Sequence, residues 1–549
     1  MKVYEALAAA FAAEGVTDVF GMMGDANMHW MNALAGHGTR LYEVRHEGAG
    51  LSMAHGFARA SGRPGVVTTT SGPGTAQLAT SMLVASRARI PLVAFCGETP
   101  LGDESAVQYL DQRRFAAAIE CEFLQVAKAD SAEEIVRRAF YLARTESRPV
   151  MISAPIDVQL QEFEDVLPYS PSTDLLRTPA LLPNPASIEQ AAELLAASKR
   201  PVLIAGRGAR SADAGEQVLA LQRRTGALLA TTLQAKNWLY GQTEYHVGIA
   251  GLFGSKVAME LLQEADCVVA VGASLNHYTI ESGYLFPDAT FVQIDTAPHV
   301  VMGNGRVADS YVQADAVTGL EALTSALEQR GIELEGFHTA DVHARLTAPL
   351  VDPAEYRREP GLLDPREAIA VVDEELPGEI GLVLGSGHQT DFGTMLFQRS
   401  REITSNYGMF GAIGQAPLLT IGAAVAKREP IFVVEGDASF LMHLPEFETA
   451  CRYGLPVLVV VMNDEGLGAE YHKASAKGLD PALAVIPTPE LGAVARALGG
   501  GGATVRTVDE LRAALGDYVR APRPTVIDVR ITRDVLSVPY RRIQYGEDV

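Results

Sequence analysis

The sequence predicts an α/β protein made of three doubly wound parallel-sheet domains. Three observations carry that expectation. Short, continuous apolar runs rich in Val, Ile and Leu recur along the chain and end in Gly-rich turns, the pattern of strands covered on both faces by crossover helices. Two proline-rich stretches interrupt this alternation, and proline resists helix and sheet interiors. Finally, 549 residues exceed what one compact core holds, at roughly 100–200 residues per domain.

Taken in order, the first domain is expected over 1–162. It opens on an amphipathic helix whose apolar stretch is broken by Glu5 and Glu14, and it contains strands at 65–70 and 90–95. The first linker is expected between Glu162 and Pro185, through Pro168, Pro171, Pro179 and Pro183. The second domain, 186–335, carries strands at 201–205, 267–271 and 291–294. A second linker, from Gly336 to Pro365, contains Pro349, Pro353 and Pro360. The third domain, 362–549, carries strands at 382–384, 431–434 and 455–462. The run Gly499-Gly500-Gly501-Gly502 reads as a helix stop and turn.

Composition narrows the function. Hydrophobic residues make up 48% and charged residues 20%, so the chain forms cores and is not disordered. The 45 basic against 67 acidic residues give a net charge of −22. That argues against a nucleic-acid duplex or an anionic membrane as partner, because both need clustered Lys and Arg. The apolar run at 455–462 falls far short of the roughly 20 residues that span a bilayer. The acidic N-terminal helix is unlike a signal peptide. A cytoplasmic location is expected. Cys96, Cys121, Cys267 and Cys451 are far apart, with no C-x-x-C pair, and read as reduced thiols in apolar surroundings.

The most informative segment is Glu435-Gly436-Asp437-Ala438-Ser439, which ends one buried strand. The next buried strand ends at Asn463-Asp464, beyond a helix expected at 445–453. In a parallel sheet both strand ends lie on the same edge, the edge where open α/β sheets bind ligands. Asp437 and Asp464 can therefore face one point. Two oxygen ligands there suit Mg²⁺, which shares its octahedron with phosphate oxygens. The N–H groups of Ala438 and Ser439 and the Ser439 hydroxyl can hold a phosphate. By spacing alone, two acidic strand-end caps without a metal fit equally well.

The pattern Gly436-Asp437-Ala438-Ser439, closed by Asn463-Asp464, resembles the metal-diphosphate motif of thiamine diphosphate enzymes, most of all the acetolactate synthase and benzoylformate decarboxylase group. That family usually has Gly-Asp-Gly and Asn-Asn, so Ala438 and Asp464 are departures. The resemblance implies the Gly466 carbonyl as a third protein ligand of Mg²⁺. It extends to Arg45-His46-Glu47, where Glu47 would bond the aminopyrimidine ring and so activate the cofactor. The small neighbours Gly48, Ala49 and Gly50 admit a ring, and burial is expected to raise the Glu47 carboxyl. It also covers Gly72-Pro73 as the turn beside the pyrimidine, His388-Gln389 as a diphosphate contact, and Gly411 through its carbonyl. Ile413 stands where the family has a methionine that bends the cofactor. The order implied is a pyrimidine-binding domain, a central domain and a diphosphate-binding domain. Homodimers or homotetramers with active sites between subunits follow from the same resemblance.

The implied chemistry is attack on a carbonyl, commonly that of a small-molecule 2-oxo acid, with loss of CO₂ and either protonation or ligation to a second carbonyl. On the substrate side, Asp25 matches an acidic residue used for proton transfer in pyruvate decarboxylases. Gln108 resembles a glutamine that reaches the substrate in acetolactate synthases. Lys473 falls near a specificity tryptophan of true acetolactate synthases, and the two tryptophans here, Trp30 and Trp238, lie elsewhere. In the central domain Gly206-Arg207-Gly208 follows a strand, but the family's FAD-binding arginine is missing from Gly272-Ala273-Ser274-Leu275-Asn276. FAD is a possible but not favoured cofactor. Alternative functions are a lyase acting on 2-hydroxyacyl or oxalyl thioesters of CoA, and a non-catalytic cofactor-binding regulator.

Overall fold

In the computed structural model the described residues are 1–549 except 165–167, 177–179, 298–300, 348–351, 353, 400 and 406–408. Three six-stranded sheets follow one another along the chain, and every strand pair within them is parallel. The first sheet holds β1 (Asp18–Gly21), β2 (Arg40–Glu43), β3 (Gly65–Thr69), β4 (Leu92–Glu98), β5 (Glu122–Gln125) and β6 (Pro149–Pro155), in the order β2-β1-β3-β4-β6-β5. The second holds β7 (Pro201–Ala205), β8 (Leu228–Thr231), β9 (His246–Ile249), β10 (Cys267–Val271), β11 (Thr290–Asp295) and β12 (Ser310–Gln313), in the order β12-β11-β10-β7-β8-β9. The third holds β13 (Gly381–Leu384), β14 (Ile403–Ser405), β15 (Ile431–Gly436), β16 (Val457–Asn463), β17 (Gly501–Val505) and β18 (Thr525–Arg530), in the order β14-β13-β15-β16-β18-β17.

The strands anticipated from apolar runs are the central ones, such as β10 and β16, buried at every position. The edge strand β2 was not legible, because Arg-Leu-Tyr-Glu has one face in solvent and no continuous apolar run. Each sheet contains a reversal of strand order: between β1 and β3, between β7 and β10, and between β13 and β15. Such a reversal splays the connecting loops apart and opens a crevice at the carboxyl edge.

Several local expectations need correction. Pro185 and Pro365 begin helices, Pro185–Ala196 and Pro365–Glu375, capped by Asn184 and Asp364. Proline suits that first position, since its missing N–H has no helical partner. The helix Ala340–Thr347 lies within the second expected linker, while Pro179, Pro349 and Pro353 lie outside the described residues. Of the four-glycine run, only Gly499 (φ +94°) turns the chain; Gly501 and Gly502 belong to β17. Gly502 sits there because a Cβ would overlap the Gly492 carbonyl. The cysteines are free, with Cys451 only half-buried. Burial pushes the Cys96 and Cys267 thiols up to about 12. Among the described residues no helix is long and apolar enough to cross a membrane.

The first and third sheets share a core. Helix Glu47–Ser61 lies directly on helix Gln415–Lys427, and Met53 and Phe57 join Leu418, Leu419 and Ile421 in one apolar cluster. Glycine permits the approach: a Cβ at Gly56 would overlap the Leu419 carbonyl, and one at Gly422 the Met53 carbonyl. Ser52 and Ser81 both donate to Gln415 Oε1, at 2.5 and 3.2 Å, which satisfies that buried amide oxygen. A Gly422→Ala substitution is therefore an overpacking change against rigid backbone. It is expected to cost about 1–3 kcal/mol and to lower the apparent melting temperature in a thermal scan, whereas Gly36→Ala, on a helix with open space around it and no positive φ, should cost less.

Candidate active site at two sheet edges

The carboxyl edge of the first sheet gathers residues that are far apart in sequence. Asp25 follows β1, Glu47 follows β2, Gly72 and Pro73 follow β3, and Gln108 follows β4. Glu47 is the first residue of its helix and is half-buried, where burial was expected. Its Oε1 lies 3.1 Å from the point a Cβ on Gly74 would occupy, so glycine keeps that side of the carboxylate open. Gly72 adopts φ +44°, and its missing Cβ leaves room for the Gln108 carbonyl. Ser71 Oγ donates to Gln108 Oε1 at 2.7 Å. The loop after β4 is thus pinned beside Glu47. Asp25 is exposed at the tip of a turn that Asn27 shapes by accepting the Gly24 N–H at 2.7 Å.

The edge of the third sheet is built at the β13–β15 reversal. Asp437 is 1% exposed, and neither of its carboxylate oxygens has a hydrogen-bond partner. Burial first, and the neighbouring Asp464 second, push its pKa up. Asp464 is pushed up by burial as well, against the pull of the Arg533 guanidinium. Arg533 Nε donates to the Asp464 carbonyl at 3.1 Å, which fixes the turn. A Cβ at Gly468 would press on Asp464 Oδ2, so glycine is needed there too. Ser439 Oγ accepts the Gly414 N–H at 2.7 Å, tying the Gly411–Gly414 turn (φ +72° and +84°) to the crevice. Ile413 in that turn is half-buried. Gly436 and Ala438 flank Asp437 on the strand-to-helix turn.

His388 and Gln389 open the helix His388–Leu396 on the other wall of the crevice. The His388 ring is turned away to accept the Ser537 N–H on Nε2 at 3.0 Å. Gln389 Nε2 donates to the Ser386 carbonyl at 3.1 Å and to Glu435 Oε1 at 3.0 Å.

Glu435 was not anticipated as a site residue. It is fully buried, and burial pushes its carboxyl up to about 7. Its Oε1 occupies the space a side chain on Gly385 would fill, so it braces β13 against β15. The signal was present in the sequence as an acid inside a buried strand, Val433-Val434-Glu435, which apolar burial alone never favours.

Ser386 Oγ, Glu435 Oε2 and both Asp437 oxygens are buried without partners around this one crevice. Buried polar groups are nearly always satisfied, so such a cluster marks a missing ligand. Acidic oxygens beside glycine-lined space fit a divalent cation with a diphosphate. Among the described residues no three His, Cys, Asp or Glu side chains form a metal cluster. Within one chain the two edges meet through the Arg45 and His46 N–H groups, both 2.9 Å from Glu446 Oε1, and through the His46 and His443 rings, 5.7 Å apart.

The reversal in the central sheet looks different. The Gly206 N–H bonds the Val271 carbonyl at 2.9 Å, and the Gly208 N–H bonds the Gly272 carbonyl at 3.0 Å. Arg207 reaches out of the domain to the Ala88 carbonyl. The Gly206 and Gly208 N–H groups are thus used within the fold.

Comparison with known proteins gives matches along the whole chain. Residues 1–118 match the thiamine pyrophosphate enzyme N-terminal TPP binding domain, 188–323 the central domain and 387–529 the C-terminal TPP binding domain. A probable acetolactate synthase large subunit of Methanocaldococcus jannaschii is 29% identical over 97% of this chain and 92% of its own length. The acetolactate synthase large subunit of Corynebacterium glutamicum is 30% identical over 77% of this chain and 68% of its own. A sulfoacetaldehyde acetyltransferase of Alcaligenes xylosoxydans xylosoxydans is 28% identical over 99% and 95%.

The buried acids set a pH dependence. Asp437, Asp464 and Glu435 have folded pKa values raised above their unfolded ones. Their contribution to stability is therefore present at pH 4 and is lost as pH rises through the folded values. The metal-free protein is expected to lose melting temperature between pH 5 and pH 8. Asp437→Asn should flatten that slope, and Mg²⁺ with thiamine diphosphate should restore the lost stability in the unsubstituted protein only.

Proposed function

The chain belongs to the thiamine pyrophosphate enzyme family, in its acetolactate synthase-like group, and on that premise we propose that it is a Mg²⁺-dependent enzyme that decarboxylates a 2-oxo acid and ligates the remaining fragment to a second carbonyl. The observation that carries this reading is the buried carboxylate pair, Asp437 and Asp464, with Asp437 lacking any partner, in the crevice of the third sheet. We place the domain limits at 1–162, 186–335 and 362–549.

In this reading Asp437, Asp464 and the Gly466 carbonyl hold Mg²⁺. Ala438 and Ser439 hold the diphosphate through backbone N–H groups and the hydroxyl, beside Gly436, whose own N–H is donated to Glu435 Oε1 at 3.1 Å. His388 and Gln389 shape the opposite wall. Ile413 would buttress the cofactor and the Gly411 carbonyl would accept its amine. Gly72 and Pro73 lie beside the pyrimidine. When bound, thiamine diphosphate supplies the nucleophilic carbon and the electron sink. Glu47 holds the proton that tunes the cofactor ring, from the first-sheet edge of one subunit toward the third-sheet edge of another, in a homodimer or homotetramer. Gln108, fixed through Ser71, and Asp25, exposed at its turn tip, face the substrate side, where Asp25 moves a proton. A second reading, acyl transfer from an aldehyde such as sulfoacetaldehyde, draws support from the acetyltransferase relative, which matches nearly the entire chain.

Glu47→Gln is expected to lower kcat by about 10²–10⁴-fold while leaving thiamine diphosphate affinity within a few-fold; unchanged turnover would overturn the role of Glu47. Proton NMR of products from a panel of 2-oxo acids, with thiamine diphosphate and Mg²⁺, tests the reaction. A 2-hydroxy ketone or an acetohydroxy acid supports ligation. Aldehyde alone reduces the enzyme to a decarboxylase, and turnover of sulfoacetaldehyde alone replaces the reading by the second one.

A further inference from the structure

A second cavity, of about 500 Å³, lies between the central and third domains, away from the crevice that carries Asp437. Its wall is mostly apolar, with Val257, Leu346, Phe392 and Met395 as examples. That volume is in the range of pockets that enclose small organic ligands. Its far side is helix His388–Leu396, so Phe392 and Met395 line the cavity from the helix whose first residues stand at the crevice.

The charged residues of this wall are almost all paired. Lys256 pairs with Asp548 at 3.5 Å, Arg345 with Glu260 at 3.1 Å, and Arg366 with Asp352 at 3.2 Å. Lys236 differs. It is 5% exposed, and its Nζ donates to Asn237 Oδ1 at 3.0 Å and to the Phe397 carbonyl at 2.9 Å. Among the described residues no carboxylate pairs with it. An ammonium group has three protons to donate, and these bonds use two. The Asp373 carboxylate, bonded to Arg401 at 2.8 Å, favours the charged form of Lys236 only from a distance, and burial outweighs it, pulling Lys236 down to about 7. Asp391, the wall's acid outside any ion pair, accepts the Ser537 hydroxyl at 2.7 Å, and burial pushes it up to about 7, which weakens its opposition to an anion.

We propose that this cavity is a binding site for a small apolar monoanion, an aliphatic or aromatic carboxylate, whose charged end is received by Lys236 and whose body fills the Val257–Phe392 side. The site is separate from the cofactor crevice. Helix His388–Leu396 borders both, and this gives a physical route for occupancy of the cavity to alter cofactor affinity, a coupling that is reciprocal.

The test uses the full chain with saturating thiamine diphosphate and Mg²⁺, and the apolar sulfonate 1-anilinonaphthalene-8-sulfonate as probe. Saturable fluorescence enhancement with one probe per chain is expected, displaced by 4-phenylbutyrate. Lys236→Met should weaken probe binding at least tenfold. Val257→Trp, which fills the cavity without touching the charge, should abolish it while circular dichroism stays native. Binding unchanged in either folded variant would overturn the proposal. So would competitive displacement of the probe by thiamine diphosphate in a titration begun without the cofactor, growing without limit with cofactor concentration where coupling through the helix would level off, because the probe would then be reporting the crevice.

Discussion

The architecture depends on one helix-on-helix contact. Glu47–Ser61 and Gln415–Lys427 come close enough for backbone to touch backbone at Gly56 and Gly422. The contact merges the apolar faces of the first and third sheets into one cluster, and burial of that face is its driving force. It also fixes where the functional ends of the two helices sit. Glu47 begins one helix, and Gln415 begins the other directly after the Gly411–Gly414 turn. Within one chain the starts of these two helices are thus held at a spacing set by packing and not by flexible loops.

Strand order then decides which sheet edges are open. In the third sheet the reversal between β13 and β15 leaves a crevice bordered by unsatisfied acids, a hydroxyl and glycines. In the second sheet the reversal is closed by the Gly206 N–H bonding the Val271 carbonyl and the Gly208 N–H bonding the Gly272 carbonyl. Both sheets have a reversal, but the outcome differs because side chains and turn geometry determine which groups stay free. The buried acids of the open crevice carry a folding cost that a bound cation and diphosphate would offset, the usual bargain at a functional site.

The candidate site was legible wherever a residue type is improbable for structural reasons alone. Asp437 and Asp464 end apolar strands, and glycines surround Glu47; both stand out against their neighbours. Glu435 was less visible, because only the fold reveals that its carboxylate fills the space above Gly385 and reaches Gln389, 46 residues earlier. His388 was readable as a site residue, yet its ring bonds Ser537, 149 residues later, a pairing no local pattern encodes.

The sequence alone determined the class of fold, the central strands and the strand-end acids, because buried parallel strands demand continuous apolar runs and any exception within them is conspicuous. Tertiary structure decided the rest: that the edge strands β2 and β17 exist, that the central glycine turn is closed, that Glu47 is only half-covered within one chain, and that Lys236 lines a cavity between domains. Those features arise from contacts between residues tens to hundreds of positions apart, and the free energy of such contacts depends on which surfaces meet, which periodicity and spacing do not record.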